Sequence, residues 1–195
     1  MIVLMSAFLL LSAFSCGGGN KANSTSEQSE ETAVNVPQFD ADSAYLYVKN
    51  QVDFGPRVPN TKEHVACGNY LAGQLEAFGA QVTNQYADLI AYDGTLLKAR
   101  NIIGSYKPES KKRIALFAHW DTRPWADNDP DEKNHNTPIL GANDGASGVG
   151  ALLEIARLVN QQQPELGIDI ILLDAEDYGA PQFYTGCLLY TSPSP

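Results

Sequence analysis

Two short apolar runs, Arg113 to Ala118 and Ile168 to Leu173, constrain this chain more than any other feature. Runs of this length without polar alternation suit strands buried on both faces. Between them, Gly145 to Gln161 carries Val149, Leu152, Leu153, Ile155, Ala156 and Leu158 at helical spacing. Strand, helix and strand in that order make a βαβ-type arrangement. Polar residues stand just past the carboxyl end of each run: His119-Trp120-Asp121 after the first, Asp174-Ala175-Glu176-Asp177 after the second. Open α/β sheets gather their ligands at such ends.

Upstream, residues 40–52 place Asp40, Ala41, Asp42 and Ser43 before Tyr45, Leu46, Val48 and Val52, which predicts a capped first helix. Phe54-Gly55-Pro56-Arg57-Val58-Pro59 breaks that pattern. Thr61 to Phe78 predicts a second helix with Val65, Leu71, Leu75 and Phe78 on its apolar face and Gly79 closing it. Residues 81–106 lack helical spacing and hold two extended stretches about Asp93-Gly94, a two-residue turn pair that signals a hairpin.

The first 15 residues form an uncharged apolar run, too short to span a membrane and typical of a secretory signal. It ends in Ala13-Phe14-Ser15-Cys16, a lipobox-like sequence that makes Cys16 the expected lipidation site. Residues 16–38 are polar and small enough to read as a flexible tether. Residues 39–186 then read as the N-terminal part of one folded domain. The last stretch, 187–195, continues no earlier pattern and reads as an artefactual tail, so the chain is expected to be cut short near Gly186. A cell-envelope lipoprotein follows, periplasmic or on the outer membrane, touching the membrane through its anchor alone.

Charge narrows the function classes. A net charge of −10 argues against nucleic acid, whose phosphates need clustered Lys and Arg. Three cysteines are too few for a disulfide framework, and Cys67, among helical neighbours, reads as a small core residue.

Three clusters carry the candidate chemistry: His119-Trp120-Asp121, Gly141 to Gly148, and Asp174 to Gly179. Each alone has a plain structural reading. Asp144 suits a helix N-cap, Asp174 and Asp177 suit solvated loops, and His119 suits a satisfied strand end. Together they bring acids and a histidine to one sheet edge. Crowded carboxylates repel one another unless a cation intervenes, and Asp, Glu and His in combination suit Zn²⁺.

Phe54-Gly55-Pro56-Arg57, Ala118-His119-Trp120-Asp121-Thr122-Arg123-Pro124, Gly141 to Gly148 and Leu173 to Gly179 resemble, in order and spacing, bacterial glutaminyl cyclases of the M28 zinc metallopeptidase superfamily. The resemblance runs from about Asp40 to about Gly186. It implies an α/β fold, a three-layer αβα sandwich about a mixed sheet, here incomplete at the C-terminus. It implies Asp144 and Asp177 as zinc ligands and Glu176 as the catalytic acid/base. His119 would bind a second metal only in a dinuclear aminopeptidase, while Asp121 and Asp174 would orient neighbours from behind the ligands. The implied activity is conversion of an N-terminal glutamine to pyroglutamate with release of ammonia. A zinc aminopeptidase is the first alternative, and a non-catalytic envelope lipoprotein that binds peptides is the other. One zinc ion goes with the cyclase and two with the aminopeptidase. The partner is a peptide with a free N-terminus.

The family's remaining histidine ligand belongs to the C-terminal part of the domain, and neither His64 nor His135 matches it. Weak zinc binding and no activity are therefore the expectation for the chain as written. Asp127-Asn128-Asp129-Pro130-Asp131 imitates a calcium loop, but Glu132 and Pro138 stand where Gly and Glu are needed, which leaves a solvated loop. Ser147 lacks the second glycine of a nucleophile elbow.

Overall fold

The computed structural model describes residues 35–180. The leader, Cys16, most of the tether, Cys187 and the tail lie outside the described residues. The elements run α1 (Ala41–Val52), α2 (Lys62–Ala77), β1 (Gln81–Ile90), β2 (Leu96–Tyr106), β3 (Arg113–His119), α3 (Ala146–Gln161) and β4 (Gly167–Leu173).

Local chemistry sets most of these boundaries. Asp40 caps α1 by accepting the N–H groups of Asp42 and Ser43 at 3.0 and 3.1 Å. Thr61 caps α2 by accepting the His64 N–H at 3.2 Å. Gly79, at φ +78°, ends α2: its N–H reaches the Glu76 carbonyl and the Ala80 N–H reaches Leu75. That pairing is the Schellman stop, and it satisfies carbonyls that would otherwise be orphaned.

The four strands lie in the order β1-β2-β4-β3. β1 with β2 and β2 with β4 are antiparallel, whereas β3 and β4 are parallel, so the sheet is mixed. The α3 crossover joins the parallel pair, as the βαβ pattern requires. The register aligns Ile102 with Leu172 and Ala118 with Leu172, so these residues share the face that meets the helices. Ile102, Ile170 and Leu172 there are fully buried against Leu71 and Leu75 of α2 and Val149, Leu153 and Ala156 of α3. Each large side chain so buried contributes about 1.5–3 kcal/mol. Among the described residues the helices cover this face alone, which gives two layers of the expected sandwich.

Four expectations need correction. β3 is not buried on both faces: it is the sheet edge among the described residues, with Ile114 48% and Phe117 59% exposed. Val65 is exposed, and the buried stripe of α2 passes instead through His64, Cys67, Gly68, Leu71 and Leu75. In α1, Tyr45 and Leu46 face outward while Tyr47 and Gln51 turn inward. The hairpin turn is longer than two residues. Gly94 N–H bonds the Ala91 carbonyl, Ala91 N–H bonds Thr95, and Gly94 adopts φ +84°. That is a three-residue connection ending in a left-handed glycine. Cys67 is a free, fully buried core residue, and burial pushes its thiol up to about 12.

α1 packs on α3 where Gly150 lets the two backbones approach. A Cβ at Gly150 would stand 2.6 Å from Val48 Cγ2 and 2.9 Å from the Ala44 carbonyl. Gly150→Val should therefore destabilise the fold by about 1–3 kcal/mol through overpacking. Gly73→Ala, where a Cβ meets nothing within 4 Å, should stabilise α2 by about 0.5–1 kcal/mol. Urea midpoints of the two variants against the parent check both signs.

Candidate metal centre

The carboxyl ends of the parallel strands sit side by side, with His119 in register with Leu173 and the Trp120 N–H bonded to the Leu173 carbonyl at 3.0 Å. Asp121 therefore leaves β3 directly beside the loop that leaves β4. Its carboxylate is fully buried, and it accepts the Glu176 N–H at 3.3 Å and the Asp177 N–H at 3.0 Å. The same carboxylate stands 3.5 Å from His119 Nδ1.

Asp144 arrives from the third direction, just ahead of α3. It does not cap that helix: the N-cap is Gly145, with no side-chain cap bond. Gly145 adopts φ +91°, and a Cβ there would stand 2.7 Å from the Asp121 carbonyl. The glycine thus admits the helix start against the strand end and leaves the Asp144 carboxylate free to face the site. His119 Nε2 lies 3.0 Å from Asp144 Oδ1.

His119, Asp144 and Asp177 each offer one ligand atom, and these atoms lie within 4.8 Å of one another. Two further features fit a cation. Asp177 Oδ2 is buried without a hydrogen-bond partner, and buried polar atoms rarely stay so. Burial first, then the charges of Asp144 and Asp121, push the Asp177 carboxyl up to about 6. His119 is pushed up to about 9, chiefly by Asp121, with the charges of Glu176 and Asp144 adding to it against the effect of burial. An oxygen-and-nitrogen donor set of this kind suits Zn²⁺.

Glu176 stands at the rim, its side chain 52% exposed and its Oε2 3.8 Å from His119 Nδ1. Asp174 lies away from this cluster. Its carboxylate pairs with His64 Nε2 at 2.9 Å and accepts the Arg100 N–H at 2.6 Å. Ser147 Oγ bonds the Asn143 carbonyl within the helix start.

Several supporting residues carried only weak sequence signals. Arg57 is fully buried, donating to the Leu140 carbonyl and to the Gly141 carbonyl at 2.8 Å, which holds the loop that brings in Asp144. Arg123 donates to the Asp177 carbonyl at 3.2 Å and the Ala180 carbonyl at 3.1 Å, while gripping Asp127 with two bonds. Asp127 is thus buried against Arg123, not solvated. Trp125 meets Tyr178, the residue after Asp177, at 5.3 Å and Tyr92 at 6.0 Å between ring centroids. Phe54-Gly55-Pro56-Arg57 and Thr122-Arg123-Pro124 mark two of these positions in the sequence without disclosing their partners.

The model of peptidase family M28 matches residues 101–188. The chain is 95% identical to a solved glutaminyl cyclase from Bacteroides thetaiotaomicron bound to N-acetylhistamine, over 78% of this chain and 52% of that one, with TM-score 0.77. A Zn-dependent exopeptidase from Parabacteroides distasonis is 63% identical over 80% of this chain and 53% of its own, with TM-score 0.78. A Tannerella forsythia glutaminyl cyclase is 57% identical over the same shares, also with TM-score 0.78. The chain spans about half the length of these relatives.

Zinc held by Asp144 and Asp177 would displace the proton of Asp177, whose value rises to about 6, and zinc that also took His119 would displace a proton whose value rises to about 9. Apparent zinc affinity should therefore climb as pH rises towards about 6, and should go on climbing towards about 9 only where His119 is a ligand. Competition titrations with a chromogenic chelator at several pH values check this, and Asp177→Asn should flatten the acidic part of the curve.

Proposed function

We propose that the whole protein is a zinc-dependent glutaminyl-peptide cyclotransferase, acting on peptides with a free N-terminal glutamine. The observation that carries the reading is the placement of Glu176. A half-exposed carboxylate stands at the rim of a cluster whose two other acids, Asp144 and Asp177, hold ligand atoms close together. The 95% and 57% identities to solved glutaminyl cyclases support the same activity.

Asp144 and Asp177 would hold the zinc, which when bound polarises the substrate amide oxygen. Glu176 takes a proton from the substrate α-amine as its nitrogen bonds to the γ-carboxamide carbon of the same glutamine. It returns that proton to the nitrogen that departs as ammonia. Asp121 holds the base in place through the backbone N–H of Glu176.

A second reading is a zinc aminopeptidase. It rests on His119, the third donor of the cluster, which in a dinuclear aminopeptidase would serve the second ion. Metal content separates the two, one zinc per chain supporting the cyclase and two the peptidase. The leader at 1–15 and Cys16 support export to the cell envelope with a lipid anchor, which we propose as the location.

The direct test supplies an N-terminal glutaminyl peptide and follows ammonia and pyroglutamate together. Equal amounts of both support the cyclase, whereas release of free glutamine without pyroglutamate contradicts it. Glu176→Gln should lower kcat by about 10²-fold or more while zinc stays bound.

A further inference from the structure

The backbone turns sharply where β4 ends. Ala175 adopts φ +61°, one of three non-glycine residues with positive φ among those described. A side chain with a Cβ is disfavoured there, so the turn persists only where surrounding contacts over-determine it. Glu176 and Asp177 follow immediately, and their direction depends on this one residue.

The contacts that hold the turn converge on Asp174. One carboxylate oxygen accepts the Ala175 N–H at 2.7 Å and the other accepts the Arg100 N–H at 2.6 Å. The Asp174 N–H donates to Asn101 Oδ1 at 3.0 Å. His64 Nε2 stands 2.9 Å from both carboxylate oxygens, and since an ionised carboxylate only accepts, the ring donates. The His64 side chain is 4% exposed and that of Asp174 fully buried. The His64 ring is fixed in turn, stacked on Trp120 at 4.3 Å with 18° between planes. Trp120 Nε1 donates to the Arg100 carbonyl at 3.2 Å.

His64, in the first turn of α2, thereby joins that helix to the corner that carries the acids. His64 touches neither the cluster of His119, Asp144 and Asp177 nor Glu176. A buried ring from one element, bonded to the carboxylate that closes a left-handed turn in another, is a device for holding a backbone direction.

We propose that His64 is a positioning residue: through Asp174 it holds the Ala175 turn in the conformation that delivers Glu176 and Asp177 to the site. The consequence for catalysis rests on the cyclotransferase reading of Glu176, but the consequence for the turn does not.

The test compares His64→Phe, which keeps a ring to stack on Trp120 and loses the donor, with His64→Gln, which restores an N–H donor. Amide hydrogen exchange is read at Ala175, Glu176 and Asp177 and, as reference, at Ile170 and Leu172 of β4. His64→Phe should speed exchange at the three turn residues by about 10-fold or more while β4 stays within about 3-fold. Zinc affinity should fall by about 10-fold or more, and His64→Gln should recover most of both losses. Should His64→Phe fail to fold, Asp174→Asn, which keeps the side-chain volume, gives the same local readout. Unchanged exchange at the turn overturns the proposal. So does a uniform rise across turn and strand, or a His64→Gln variant no better than His64→Phe. A parent protein without glutaminyl-peptide turnover would refute the cyclotransferase reading and leave the exchange result to decide this one.

Discussion

The buried carboxylate of Asp121 is the interaction on which the site depends. Two parallel strands end side by side, and each would send its following loop in its own direction. Asp121 prevents that by accepting two backbone N–H groups from the loop after β4. A charge with no solvent exposure persists only with such partners, because its desolvation costs several kcal/mol. Here the partners are amides of the residues whose side chains face the cluster. The carboxylate's negative charge also faces His119 and raises its proton affinity.

The remaining geometry is arranged around that knot. Gly145 gives the start of α3 room to close on the Asp121 carbonyl, and Arg57 ties down the loop ahead of it. Arg123 secures the far side by binding the Asp177 and Ala180 carbonyls. The result crowds Asp121, Asp144, Asp177 and Glu176 about one histidine. Asp177 shows the cost, since burial and the neighbouring acids raise it to about 6. Such a cluster is under electrostatic tension without a cation and is relieved by one.

Much of this was legible in the sequence because the signals were local. Asp40, Thr61 and Gly79 begin and end helices through bonds spanning a few residues. The βαβ unit declared itself through two apolar runs and the helical spacing between them. The acids past those runs mark the site in the sequence itself. What was hidden depended on contacts distant in sequence. Val65 and His64 are adjacent, and apolarity alone favoured Val65 for the core; the carboxylate of Asp174, 110 residues away, makes the buried place suit the histidine. Phe117 sits in an apolar run yet is exposed, because β3 is an edge strand among the described residues. Apolarity reports a preference for burial, not which neighbour is present. Arg57 and Arg123 likewise bind carbonyls of distant loops, and no spacing rule reveals such partners.

The central claim is that Asp121 organises the metal centre by joining the two strand ends. Asp121→Asn tests it most directly, because the amide keeps the side chain's shape while turning one acceptor into a donor opposed to a backbone N–H. The measurement is zinc affinity by competition titration, with the thermal midpoint recorded alongside. Affinity should fall by about 10–100-fold in a protein that remains folded. Zinc affinity equal to the parent's in that folded variant would contradict the account.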